Sequence, residues 1–288
     1  MTPGPDHPYE VLDVFTDTPL EGNPLAVFTE AQRIPSRLMQ RTARELNLSE
    51  TVFVLPGDGV GHDAQIRIFT PGAELPFAGH PTLGAAFVVG ARLGLRTVRL
   101  QTGAGIVPVR LTREHGEIVL GEMEQPIPTV RPYAGDPAEL LEALGAPGAR
   151  PSTPIEQYTN GPTHTVITFT DPAQVAALAP DMAALIRLGV QAAPVALTGA
   201  RAATTRNFAP GLGVPEDPAT GSAAGPLALH LARHGLTPLR ETVVIRQGAE
   251  IGRPSTLHAR VDGDRDHPGP IIVGGSAVLV ARGHFRLG

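Results

Sequence analysis

The sequence predicts an α+β protein of two related halves, each a mostly antiparallel set of strands around one buried helix. Three observations predict it. The chain repeats itself: Arg67-Ile68-Phe69-Thr70-Pro71-Gly72 and Arg206-Asn207-Phe208-Ala209-Pro210-Gly211 share the pattern Arg-x-Phe-x-Pro-Gly. Each copy leads through a loop to a glycine pair, Gly79-His80 or Gly221-Ser222, where a small-residue helix opens. A period of about half the chain marks two domains rather than a solenoid. Finally, the helix expected over 80–93 is rich in Ala and Gly, has no acidic residue and is apolar on all sides, so it calls for burial. A buried helix with a sheet around it is a barrel-like α+β domain.

The elements follow in order. Residues 9–15 alternate roughly and read as a strand. Residues 18–24 are a turn cluster, with Asn23 as a turn residue at the mouth of the returning strand 25–28. Residues 35–46 form an amphipathic helix that starts at Pro35-Ser36. Residues 47–51 break it and feed a strand over 52–55. Residues 65–69 alternate cleanly, the apolar helix follows, and strands are expected at 98–100, 105–111 and 117–120. Two prolines within 124–129 mark the domain boundary, giving domains 1–128 and 129–288, with the last strand able to return to the first. The second half opens with a helix over 137–144 and a proline-rich link over 147–154. A β-branched strand at 165–169 precedes a helical stretch, 172–188, broken at Pro180. Strands at 194–198 and 203–208 lead to the second apolar helix, which ends at His234. Strands at 242–247, 255–261, 271–273 and 277–282 complete the chain.

Composition removes several functions. Of 288 residues 42% are apolar and 18% charged, which fits a folded soluble protein and not a disordered one. The net charge is −5 and the basic residues are scattered, so no nucleic-acid footprint is expected. The absence of cysteine excludes disulfides, thiolate nucleophiles and cysteine-based metal sites. Residues 1–8 carry no apolar signal core and no long apolar window occurs, so the expectation is a cytoplasmic protein away from membranes. No Rossmann or Walker glycine pattern, no Gly-x-Ser-x-Gly elbow and no metal spacing among the histidines is seen.

The chemistry concentrates at Glu216-Asp217-Pro218-Ala219-Thr220-Gly221-Ser222, which leads into the second apolar helix. Helix N-termini carry outward N–H groups and a positive dipole end, so this one suits a carboxylate. Read alone, it is an ordinary capped helix; its repetition at Gly79-His80 suggests two half-sites for one anion. The repeat differs by a short insertion carrying Glu216 and Asp217. Glu50 stands where a loop enters an apolar strand, and partial desolvation there would make it a better proton acceptor. His80, at a helix start, is expected to have a lowered pKa.

The blocks Gly22-Asn23-Pro24 with 26–28, Asn47-Leu48-Ser49-Glu50-Thr51, Phe77-Ala78-Gly79-His80-Pro81 and Glu216 through Ser222 together resemble the PhzF family of phenazine-biosynthesis-like isomerases. The resemblance runs from about Tyr9 to Ala281. Residues 125–129, Asn160-Gly161-Pro162, 223–234 and 250–255 resemble the family's phenazine-pathway enzyme more than its generic relatives. The resemblance implies a diaminopimelate-epimerase-like fold of two pseudo-symmetric domains with the active site between them, a homodimer, and no cofactor or metal. It implies an isomerase that moves a proton on a small cyclic carboxylate, trans-2,3-dihydro-3-hydroxyanthranilate. By position, Glu50 is the general base and acid, with His80 and Asp217 in the same pocket. Ser222 and the N–H groups at Gly79 and Gly221 hold the carboxylate; Thr220 is a further substrate-binding residue, and Asn23 and Ser49 orient the substrate. Epimerases of this fold place a thiol beside each pocket glycine, whereas this chain has Ala78 and Thr220 there, so two-thiol racemisation is unavailable. The alternatives are an isomerase or epimerase of another small carboxylate, or a non-catalytic carboxylate binder.

Overall fold

The computed structural model describes residues 6–265 and 267–287. One compact unit takes the chain up to Glu124 and again from Gly274 onward; the other is Gln125–Val273.

The first unit contains β1 (Asp6–Val14), β2 (Asn23–Phe28), α1 (Ser36–Leu46), β3 (Glu50–Pro56), β4 (Ala64–Phe69), β5 (Glu74–Leu75), α2 (Gly79–Leu93), β6 (Thr97–Thr102), β7 (Gly105–Glu114) and β8 (Glu117–Gln125). The chain's final strand, Ala277–Arg286, pairs antiparallel with β1. Most neighbours are antiparallel, and β2 with β3 and β4 with β6 are parallel. α1 begins after Pro35 and stops at Asn47, whose φ of 51° places it in the left-handed region. Its buried residues Met39, Thr42 and Ala43 recur at helical spacing, and Met39 and Ala43 pack with Phe28, Phe53 and Phe69. The Phe28 and Phe53 rings stack 4.9 Å apart.

α2 takes the other role. Every residue from Gly79 to Gly90 is buried, and the helix packs on β1, β2, β3, β6 and β7. Small residues allow this close fit. A Cβ at Gly84 would stand 2.5 Å from Leu25 Cδ2 and 2.9 Å from Val14 Cγ2.

The second unit contains β9 (Thr129–Pro132), α3 (Pro137–Ala143), β10 (Glu156–Thr159), β11 (Thr163–Phe169), α4 (Pro172–Ala176), α5 (Met182–Leu188), β12 (Ala192–Gly199), β13 (Ala202–Thr205), α6 (Gly221–Arg233), β14 (Val243–Gln247), β15 (Ser255–Gly263) and β16 (Pro268–Gly275). On β11, Ile167 and Phe169 pack with Leu140, Leu144, Val175 and Leu185 of the short helices. The alternate residue Thr168 bonds His230 of α6, so the strand's two faces carry two layers. α6 is buried from Gly221 to Ala232.

The repeat is a repeat of topology. Along β1-β2-β3-β4-β6-β7 the pairings run antiparallel, parallel, antiparallel, parallel, antiparallel. Along β10-β11-β12-β13-β14-β15 they run in the same sequence. The two Arg-x-Phe motifs also fold alike. Arg67 makes a two-pronged bond to Glu74 and lies 5.1 Å from the Phe69 ring; Arg206 does the same with Glu216 and lies 4.8 Å from Phe208. Glu216 is therefore the counterpart of Glu74, and the extra residues of the second copy fall before it. The expectation that the insertion carries Glu216 is corrected.

Other expectations shift. Asn23 is the first residue of β2 and fully buried, not an exposed turn residue. β9 and β10 are too short to signal themselves and pair with each other. β13 ends at Thr205, where the chain leaves the ladder toward Arg206 and Glu216. Among the described residues, no helix is long and apolar enough to cross a membrane.

Candidate active site

In the first unit, three elements converge. β2 starts at Asn23, β3 starts at Glu50, and α2 starts at Gly79-His80. The parallel pairing of Leu25 with Glu50 sets the two strand starts side by side. His80 Nδ1 lies 3.5 Å from both Glu50 Oε2 and Asn23 Nδ2. The Glu50 side chain keeps 16% exposure and His80 only 4%. Burial pushes the His80 imidazole down to about 3, so it is neutral at physiological pH. The ring beside Glu50 is therefore not a cation. His80 Nε2 is buried with no hydrogen-bond partner among the described residues. Ser49 is half-buried in the bend that precedes Glu50.

In the second unit, Asp217, Thr220, Gly221 and Ser222 lie together at the start of α6. The Asp217 N–H donates to the Asn207 carbonyl at 3.0 Å, fixing the turn. The Thr220 hydroxyl donates to Asp217 Oδ2 at 2.6 Å. Thr220, Gly221 and Ser222 are buried, and Asp217 is half-buried.

The two apolar helices share a trait. α3, α4 and α5 are capped by Asp136, Asp171 and Asp181, whose side chains accept the helices' own N–H groups. α2 and α6, like α1, have no side-chain cap and no acidic residue in the first turn. Their N-terminal N–H groups and positive dipole ends are not neutralised by a cap, which suits an external anion.

The chain's relatives decide what these parts belong to. A profile described as phenazine biosynthesis-like protein, PhzC-PhzF, matches residues 12–283. The chain belongs to this family. It is 46% identical over 281 residues to the trans-2,3-dihydro-3-hydroxyanthranilate isomerase of Pseudomonas aeruginosa, covering 98% of this chain and all of that one. A crystal structure of the Bacillus anthracis PhzF-family phenazine biosynthesis protein superposes with a TM-score of 0.88 at 25% identity, over 98% of this chain and 100% of that one. A hydroxyproline epimerase from Agrobacterium vitis shares the fold, with a TM-score of 0.65 at 11% identity over 98% of this chain and 93% of that one. The expected epimerase-like fold and isomerase class are both met.

Sequence reasoning missed one polar cluster. Glu156 on β10 meets His230, Arg233 and His234 of α6. His230 and the C-cap residue His234 sit four apart, a spacing visible in the sequence, where no histidine spacing is expected to suit a metal; their partner 74 positions away from His230 was not visible. Ligand atoms of Glu156, His230 and His234 lie within 4.8 Å of one another, as a metal site would need. The Arg233 guanidinium already sits 3.1 Å from the same Glu156 oxygen, and Tyr158 donates to it at 2.7 Å. Burial alone would push the Glu156 carboxyl up. Hydrogen bonds from His230, His234 and Tyr158 and the Arg233 charge outweigh it and hold the carboxyl well below its usual range. Burial pushes His230 down, partly offset by Glu156. The cluster is a satisfied ionic hub that ties α6 to β10.

Proposed function

We propose that this chain is a cofactor-independent isomerase acting on trans-2,3-dihydro-3-hydroxyanthranilate, with Glu50 as the proton shuttle. The full-length 46% identity to enzymes of that name supports the substrate. The observation that carries the mechanism is the Glu50–His80 pair, a carboxylate beside a buried imidazole that stays neutral. Glu50 takes a proton from one ring carbon and returns it to another, so the reaction consumes no net proton and needs no redox partner. Its imidazole neighbour does not neutralise the negative charge it needs as a base. His80 Nε2, buried and without a hydrogen-bond partner among the described residues, bonds a polar group of the substrate in this reading. The uncapped starts of α2 and α6 are then both anion-binding ends. The N–H groups at Gly79 and Gly221, with Ser222, hold the substrate's carboxylate, while Asn23, Ser49 and Asp217 orient its amino and hydroxyl groups. The reading includes a cytoplasmic homodimer, which sedimentation of the purified protein checks.

The test is conversion of the dihydro acid in deuterated water, followed by proton NMR. The wild type should isomerise the substrate and place solvent deuterium on the ring. Glu50→Gln should lower the rate by about a hundredfold or more, the usual worth of a positioned general base. Equal rates in both proteins would remove Glu50 from the mechanism. No conversion by the wild type would remove the substrate.

A further inference from the structure

Gln247, at the end of β14, is 3% exposed, and each polar atom of its carboxamide is spent on the turn that leads into α6. Its Oε1 accepts the Thr220 N–H at 3.2 Å. Its Nε2 donates to the Asp217 carbonyl at 2.7 Å and to Thr220 Oγ1 at 3.0 Å. The amide cannot be turned round: a backbone N–H only donates and a backbone carbonyl only accepts, so both ends are assigned by chemistry. This fixes the next link. Since Thr220 Oγ1 accepts from Gln247, its own hydrogen points to Asp217 Oδ2, 2.6 Å away. A proton on that oxygen would collide with the hydroxyl hydrogen. The arrangement thus makes Asp217 Oδ2 a hydrogen-bond acceptor.

Two further buried carboxamides hold the same turn from other directions. Gln125 Nε2 donates to the Gly221 carbonyl at 2.8 Å, and Asn160 Nδ2 to the Ser222 carbonyl at 3.1 Å. They lie in two of the stretches that resemble the phenazine-pathway enzyme more than its generic relatives. Of these three carboxamides, Gln247 is the one bonded to the Asp217 carbonyl as well as to the helix start.

We propose that Gln247 is a positioning residue for the reaction: through Thr220 it orients the Asp217 carboxylate as a hydrogen-bond acceptor for the substrate's amino or hydroxyl group. This rests on the functional reading above and assigns Asp217 an orienting role, leaving the proton shuttle to Glu50.

The test uses Q247L, T220V, T220S and the double variant Q247L/T220V, each first shown to be folded by thermal denaturation. Calorimetry measures binding of 3-hydroxyanthranilate, which carries amino and hydroxyl groups, and of benzoate, which carries neither. Q247L and T220V should each weaken 3-hydroxyanthranilate by about tenfold to a hundredfold and leave benzoate unchanged. The double variant should lose no more than the worse single, because Gln247 acts through Thr220. T220S, which keeps the hydroxyl, should bind as the wild type does. Losses in kcat/KM should follow the same order. Equal weakening of both ligands, additive losses, or a T220S as poor as T220V would overturn the proposal. If Q247L does not fold, T220V against T220S decides alone. A wild type that binds neither ligand would sink the functional reading; a wild type that binds 3-hydroxyanthranilate with Q247L unchanged would sink only the role of Gln247.

Discussion

The two copies of Arg-x-Phe offer a controlled measurement of what burial does to an ion pair. Arg67 and Glu74 have side-chain exposures of 24% and 41%; Arg206 and Glu216 have 9% each. The pairs themselves are matched, with two N–O contacts of 2.7–2.8 Å and an underlying phenylalanine in both, and Arg67 also donates to Ser36 Oγ at 2.7 Å. Arg206 additionally donates to the carbonyls of Val175, Ala176 and Leu178, the last at 2.6 Å, closing the end of α4. Truncating one partner of a buried pair leaves the other charge unpaired, which costs about 3–5 kcal/mol. The same change in an exposed pair costs about 0–1 kcal/mol, since water takes over. Arg206→Met should therefore destabilise the protein by about 3–5 kcal/mol and Arg67→Met by about 1 kcal/mol or less. The double change Arg206→Met with Glu216→Leu should recover much of the loss, because no lone charge remains buried. Urea unfolding of the three variants, read as midpoint shifts at a common slope, measures this. Equal costs at the two sites, or no recovery in the double variant, would refute the reasoning.

Other outcomes follow from the same packing. Burial pushes His80 down to about 3 and His164 to about 4, from 6.5. Between those values and 6.5 the unfolded chain binds protons that the folded chain refuses, so stability falls as pH drops below about 6.5. At pH 5, some 1.5 pH units below the unfolded value, each histidine should subtract about 2 kcal/mol; His164→Gln should flatten the decline in a series of urea midpoints against pH. Gly84→Ala should cost about 1–3 kcal/mol by urea unfolding, because the added carbon meets Leu25 and Val14 below van der Waals distance. Asp136→Ala should cost about 1 kcal/mol by losing the cap on α3, a loss that α2 and α6 cannot suffer because they carry no such cap.

What the sequence by itself determined was the part written in local chemistry. The apolar helix at residues 80–93, with no acidic residue and one arginine near its end, called for burial, and it is buried up to Gly90 while Arg92 stays exposed. Arg-x-Phe-x-Pro-Gly announced the duplication because both copies must turn the chain into the same kind of helix start. The family blocks proposed Glu50, His80 and Asp217 as site residues by position. The tertiary structure alone decided how those side chains are held. A lowered His80 pKa is expected from the helix start, and the structure supplies a different cause, burial of the ring. That Glu216 answers to Glu74 emerged only when both were seen gripping their arginines, because loop residues before them blur the alignment. Gln247 and Glu156 look like ordinary polar strand residues, and they acquired roles because the sheet carries each one against α6. Long-range partners of this kind are selected by packing geometry, and a strand's alternation specifies only which face a residue takes, not what it meets there.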